Sequence, residues 1–312
     1  MRGRILILGA AGRLGYATAE AFRMAGWTVT SLVRPGAAHR APRGTKVVET
    51  IDRLDAIAAA RGMDVVLHAL NPPFKTWRRM ALAHAYSAIE VAETAGATLM
   101  FPGNLYNYGS GMPGVIDETT PMQPTTRKGD IRLEIEQRMQ EAAERGVRTI
   151  VLRAGDFFGS GRGAWFDLVI AKQLARNEVT YPGPLDVVHE WAYVPDLAAA
   201  MVRLAKVRER LGAFETFGFS GHAVTGQTLI DAIAKAIGRD SRDLRVRQMQ
   251  WWMIKALSPF FALPHELSEL DYFWKVPHRI SGDKLKATIG EVSRTPLETA
   301  VKRALRELAS AT

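Results

Sequence analysis

Cysteine is absent from this 312-residue chain, so neither a disulfide framework nor a thiolate metal site is available to it. A reducing cytoplasm suits such a chain, and a cytoplasmic location is the expectation. Nowhere do about 18 apolar residues run without interruption, which leaves no candidate for a membrane-spanning helix. The apolar stretch near the N-terminus is short and runs directly into glycines, so it reads as a strand and not as a secretion signal. The seven histidines lack metal-ligand spacing, and no metal is expected. Charge of one sign is in excess but not segregated. The 41 Lys and Arg residues outnumber the 32 acids to give a formal charge of +9, yet both signs interleave, as in Glu144-Arg145-Gly146-Val147-Arg148. No basic run carries interspersed aromatics, so neither nucleic acid nor a membrane is an expected partner. A small-molecule substrate is expected, in a monomer or homodimer.

What is present is alternation. Short β-branched runs beginning at Ile5, Trp27, Thr45, Met63 and Ala97 alternate with stretches of helical periodicity, and a further strand follows at Arg148–Gly155. Strands separated by helices predict right-handed βαβ units and a parallel sheet, and near-continuous apolar strands predict that both faces are covered. The fold class is therefore α/β, a doubly wound Rossmann-type sheet. Residues 1–155 read as the dinucleotide-binding core, and 156–312 as a mixed region that completes the sheet and forms a smaller C-terminal substrate lobe. The aromatic-rich stretches around Trp251, Trp252, Phe260, Phe261, Phe273 and Trp274 read foremost as core packing of that lobe, or else as a lid over an apolar substrate.

Gly9-Ala10-Ala11-Gly12-Arg13-Leu14-Gly15 leaves the first strand and opens the first helix. Gly9 permits a tight turn, Gly12 lets backbone approach a pyrophosphate, and Gly15 lets helix pack closely on strand. The helix N-terminus attracts the phosphate charge. At the end of the second strand stands Arg34, where an NAD binder usually carries an acid for the ribose hydroxyls. A cation there suits a 2′-phosphate, and Arg13 offers a second, so NADP(H) is preferred with NAD(H) possible.

The order of motifs resembles that of the extended short-chain dehydrogenases/reductases, the NAD(P)-dependent epimerase/dehydratase-like group, in an atypical form. The resemblance rests on Gly9/Gly12/Gly15, Asp64 to Leu70 and Phe101 to Gly109. It continues through the helix at Lys128, Leu152 to Gly159, Val194 to Ala198 and Pro277 to Leu285. It implies a cofactor groove lined by Gly9, Ala11, Gly12, Arg13, Leu14, Gly15, Arg34, Leu70, Asn71, Gly103, Ala154, Gly155 and Phe157, with Lys128 and Arg132 beside the nicotinamide ribose.

In that family a Ser or Thr positions the substrate carbonyl, and a Tyr-x-x-x-Lys pair supplies the acid and holds the ribose. Matched residue by residue, Asn104 stands at the serine, Lys128 at the tyrosine and Arg132 at the lysine, so the whole triad is substituted. Lys128 and Arg132 lie four apart and share a helix face, beside an apolar stripe of Ile131, Ile135 and Met139. Arg132 beside Lys128 is expected to ease deprotonation of the ammonium and make it a proton donor, with Asn104 orienting the substrate. Tyr106 and Tyr108 are alternative acids. His68 reads as a satisfied core residue, and Asp196 as a helix cap. The implied activity is an NADP(H)-dependent oxidoreductase reducing a carbonyl or activated alkene. The alternative is a catalytically inactive NAD(P)(H)-binding redox sensor or regulator.

Overall fold

The protein is described here by a computed structural model covering residues 3–310 other than Pro73 and Ser293, and excluding the side chains of Phe74, Lys75 and Arg78. Its strands are β1 (Arg4–Leu8), β2 (Thr28–Val33), β3 (Lys46–Glu49), β4 (Val65–His68), β5 (Thr98–Gly103), β6 (Val115–Ile116) and β7 (Thr149–Arg153). The second half adds β8 (Asp156–Phe158), β9 (Glu178–Tyr181), β10 (Val188–Tyr193), β11 (Phe214–Gly218), β12 (His222–Thr225), β13 (Arg245–Gln248) and β14 (Arg279–Ile280).

Seven of these form one parallel sheet in the order β11-β7-β5-β4-β1-β2-β3. The central strands are buried along nearly their whole length, as Ile5 to Leu8 and Val65 to His68 show, because helices cover both faces. On one face lie α1 (Arg13–Met24), α5 (Val194–Val207) and α9 (Asp283–Ile289), which share a core with Phe22, Met201 and Leu285. On the other lie α2 (Arg53–Ala60), α3 (Phe74–Ala95) and α4 (Arg127–Glu144). The stripe Ile131, Ile135 and Met139 is the buried face of α4, as its helical spacing requires.

Strand β1 pairs with β2 on one side and β4 on the other, so the chain direction across the sheet reverses there. At such a switch point the loops leaving the carboxyl ends splay apart and open a crevice. The loops after β1 and β4 border it.

The second half supplies β11 to the sheet edge and builds a smaller lobe. There the antiparallel pair β10–β12, with β8 alongside, packs under α6 (Gly226–Ala236) and α10 (Leu297–Ser310). A helical hairpin, α7 (Trp251–Leu257) and α8 (Ala262–Ser268), completes it. The aromatic-rich region divides. Trp251, Phe273 and Trp274 are buried, whereas Trp252, Phe260 and Phe261 face solvent, so core packing accounts for only half of it. Asp196 is not a helix cap. Tyr193 holds the cap position of α5, and the Asp196 carboxylate accepts from the Thr295 backbone N–H (2.7 Å) and hydroxyl (2.8 Å), tying in the approach to α10. Among the described residues, no helix is long and apolar enough to cross a membrane.

Candidate functional site

The glycine turn has the conformation its sequence requires. Gly9 lies at φ +90°, where side-chain-bearing residues are strained, and its N–H donates to Leu32 O at 3.0 Å. A Cβ on Gly15 would run into the carbonyl oxygen of Gly9, and one on Gly12 would lie 3.3 Å from that same oxygen. A turn with no room for a side chain at Gly15 and little at Gly12, at the N-terminus of a 12-residue helix, fits a dinucleotide pyrophosphate. Ala11 is half-buried and Leu14 buried against the helix-side core. Leu70 closes the turn from the β4 side, its Cδ2 3.1 Å from where a Gly9 Cβ would stand.

Arg13 does not reach toward the adenosine. Its guanidinium pairs with Asp167 and donates to Gly161 O at 2.6 Å, so it ties the turn to the loop after β8. The Asp167 carboxylate also accepts from Gly163 N at 2.6 Å, which anchors that loop in turn. Nε and Nη1 of Arg13 are enclosed without partners among the described residues. Arg34 is exposed at the end of β2. The nearest acid in the register is Glu49 on β3, opposite Val33, and its carboxylate accepts from Gly36 N at 2.6 Å.

Asn104 follows β5 directly, and Lys128 and Arg132 lie on the first two turns of α4. The Oδ1 of Asn104 accepts from Tyr106 N (3.2 Å), a turn that leaves the amide N–H₂ as its donor. The next backbone segment packs on the first turn of α4, where a Cβ on Gly129 would come within 2.5 Å of Tyr106 O. Arg132 lies between the rings of Trp77 and Phe101, 5.2 and 5.6 Å from their centroids, and its Nε has no partner among the described residues. Two such cation–π contacts hold the guanidinium by about 0.5–2 kcal/mol each. Trp77 is itself fixed by donating to Asn71 Oδ1 at 3.0 Å.

Lys128 departs from expectation. Its ammonium is buried and pairs with Glu266 of α8, with Glu269 at 3.9 Å, while its backbone N–H donates to Glu269 (3.1 Å). The charge that governs Lys128 is thus a carboxylate from the hairpin, not Arg132, whose guanidinium turns to the aromatic side of α4.

Neither tyrosine is a ready acid. Arg153 Nη1 donates to the Tyr108 hydroxyl at 3.0 Å, and Arg153 pairs with buried Glu136 at 2.7 Å. Burial pushes the Tyr108 phenol up to about 12. Tyr106 is edge-on to Phe273, and burial raises its phenol well above the ordinary range. His68 is buried and stacked on Phe101, and its Nδ1 has no partner among the described residues. Loss of hydration brings its imidazole down to about 3. Gly103, Ala154 and Gly155 are packed inward. Ala154 is fully buried, and a Cβ on Gly155 would strike the backbone oxygen of Glu190, so β10 rather than a ligand demands that glycine. Phe157 is half-buried.

Sequence reasoning missed two acids and one pair. Glu266 and Glu269, three apart in His265-Glu266-Leu267-Ser268-Glu269, follow a long apolar run, and that spacing on one helix face was the available signal. Asp156 on β8 meets His189 on β10, with Oδ2 2.9 Å from Nε2. Burial brings the Asp156 carboxyl up to about 7 and His189 down to about 3. His189 stacks on Trp274 at 4.2 Å, and no local sequence pattern joins these residues.

The chain matches the NAD dependent epimerase/dehydratase family over residues 5–217. A 3-diazoavenalumate denitrifying reductase from a Streptomyces species is 28% identical over 218 residues, covering 64% of this chain and 71% of that protein. Among solved structures, MoeE5 in complex with UDP-glucose and NAD superposes with a TM-score of 0.77 at 18% identity, covering 99% of each chain. The UDP-Glc/GlcNAc 4-epimerase from Campylobacter jejuni gives 0.75 at 17% identity, covering 98% of each. At those identities the structural likeness speaks for the Rossmann-type fold. With a family match across well over half its length, the chain belongs to the NAD dependent epimerase/dehydratase family.

Proposed function

We propose that this protein is an NADP(H)-preferring reductase that delivers hydride to an electrophilic carbon or heteroatom of a small molecule, a carbonyl or activated alkene in the first instance. What supports the reading is the family match together with the polar set Asn104, Lys128 and Arg132, which the resemblance aligns with the family's triad and which lies just after β5 and on the first two turns of α4. When bound, a reduced nicotinamide supplies the hydride. The glycine turn holds the pyrophosphate, and Arg34 meets the 2′-phosphate, Glu49 being engaged by Gly36 N. Asn104 donates its amide N–H to the substrate oxygen. Lys128 gives up a proton from Nζ to the reduced substrate, leaving a neutral amine beside the Glu266 carboxylate, and a proton from solvent then restores the ammonium and the pair. The distant reductase relative, whose substrate is a diazo compound, adds that class to the candidates.

Titration with NADPH and NADH, followed by nucleotide oxidation across a panel of carbonyl, enone and diazo compounds, tests the reading. Tighter NADPH binding with turnover of one class is expected. The burial of Lys128 against Glu266 also favours a second reading, a nucleotide-binding sensor, and tight NADPH binding without turnover across the panel would select it. Binding of neither nucleotide would remove both.

A further inference from the structure

The α7–α8 hairpin shows the solvent a face unlike the rest of the surface. Trp252, Met253, Leu257, Phe260, Phe261 and Leu263 are 68, 45, 42, 77, 58 and 45% exposed, all within 12 residues. Large apolar side chains in one contiguous exposed patch mark a surface that meets something apolar. Between Arg245 and His265 the chain contains three cations, Arg245, Arg247 and Lys255, and no acid. Beside the hairpin lies a cleft of about 660 Å³ whose rim includes Arg127, Lys255 and Lys275. Asp271, paired with both lysines, and Glu269 are its acids, and Arg127 is exposed. Inside the hairpin, Trp251 is anchored by donating to Pro182 O at 2.5 Å, and Glu266 by Lys128, so the projecting residues stand on a fixed base.

We infer that this hairpin docks on an anionic phospholipid surface, with Phe260 and Phe261 at the tip inserted among the acyl chains and the flanking cations against the headgroups. Aromatic side chains beside Arg127, Arg245, Arg247, Lys255 and Lys275, which outnumber the adjoining acids Glu178, Glu269 and Asp271, complement such an interface in both polarity and charge. Arg247 pairs with Glu178 at 2.7 Å and Lys255 with Asp271 at 2.5 Å, yet both side chains stay half-exposed and the flank keeps a net positive charge for an anionic bilayer. The attachment is peripheral, and it departs from the expectation that no membrane partner exists, which rested on the lack of a basic run with interspersed aromatics. The cations here come from β13, α7, the start of α4 and the segment after α8, so folding and not consecutive sequence brings them to the aromatic hairpin.

Flotation of the full chain with phosphatidylcholine vesicles, with and without phosphatidylglycerol, tests this. The protein is expected to float with the anionic vesicles, to do so less as salt is raised, and to stay behind with phosphatidylcholine alone. The double variant Phe260→Ser/Phe261→Ser, altered only at exposed positions, is expected to lower the bound fraction by about tenfold or more. The variant's unchanged thermal midpoint controls for folding. Three results would overturn the proposal. They are no flotation on either vesicle, equal flotation of the double variant, and a concentration-dependent dimer that the same substitutions abolish without any vesicle binding.

Discussion

Lys128 and Glu266 form a buried ion pair across 138 residues of sequence, with side chains only 3 and 9% exposed. It joins the first turn of α4 to the α7–α8 hairpin. Removing one partner strands the other charge in a low-dielectric setting, a loss of about 3–5 kcal/mol, whereas replacing both with apolar side chains leaves nothing to neutralise. Lys128→Met is therefore expected to lower the urea midpoint sharply, and Lys128→Met/Glu266→Met to recover most of the loss. Strictly additive effects of the two single changes would show that the pair does not couple.

Tyr108 separates structure from chemistry. Its hydroxyl accepts from Arg153, which is held by Glu136 in a buried network behind the site. A hydrogen bond to a charged group contributes about 1.5–3 kcal/mol. Tyr108→Phe should destabilise the fold by about that amount while leaving NADPH affinity and any turnover at native temperature unchanged. Equilibrium denaturation and nucleotide titration on one preparation check both halves, and a selective loss of turnover would restore Tyr108 as an acid.

How much of this was legible beforehand follows a physical line. Local periodicity set the helix at Arg127–Glu144 and the glycine turn, because 3.6-residue spacing and a positive φ leave marks in consecutive residues. The direction of a long side chain leaves none. Arg13 sits within the motif that identifies the cofactor turn, yet its guanidinium answers Asp167, 154 residues away. Lys128 was placed correctly on its helix, but its partner belongs to a hairpin that only tertiary packing brings near. Trp251 and Trp252 are adjacent in sequence and about 100° apart on a helix, so one is core and the other surface.

The two arginines of the cofactor region should separate in a binding experiment. Arg34 is exposed and free to meet a 2′-phosphate, whereas Arg13 is held between the glycine turn and the Gly161 loop. Arg34→Met is expected to weaken NADPH by about tenfold, the effect of one charge-assisted contact, and to leave NADH unaltered. Arg13→Met loosens the loop that borders both cofactors and should weaken NADPH and NADH alike. Parallel fluorescence titrations give the two ratios, and an unchanged NADPH-to-NADH ratio in Arg34→Met would show that the 2′-phosphate is read elsewhere.

Asp156 gives the stability a pH dependence of defined sign. Its carboxyl is raised by burial from 3.8 to about 7, so between those values the folded chain holds a proton that the unfolded chain has lost. Its contribution is complete below the unfolded value and is lost as pH rises through about 7. Glu190, also raised to about 7, acts in the same sense. His68, His189 and His278, all lowered to about 3, act oppositely, because they favour the fold more as pH rises from about 3 through the ordinary imidazole range. Whole-protein curves therefore mix both signs, and a difference between variants isolates one. Asp156→Asn keeps a hydrogen-bond partner for His189 Nε2 and removes the ionisation. Its thermal midpoint relative to wild type should rise progressively from about pH 4 to about pH 7 and then level off, leaving the variant the more stable protein at pH 8. A flat difference across that range would mean that Asp156 ionises at its ordinary value, with the imidazole of His189 taking up the charge beside it.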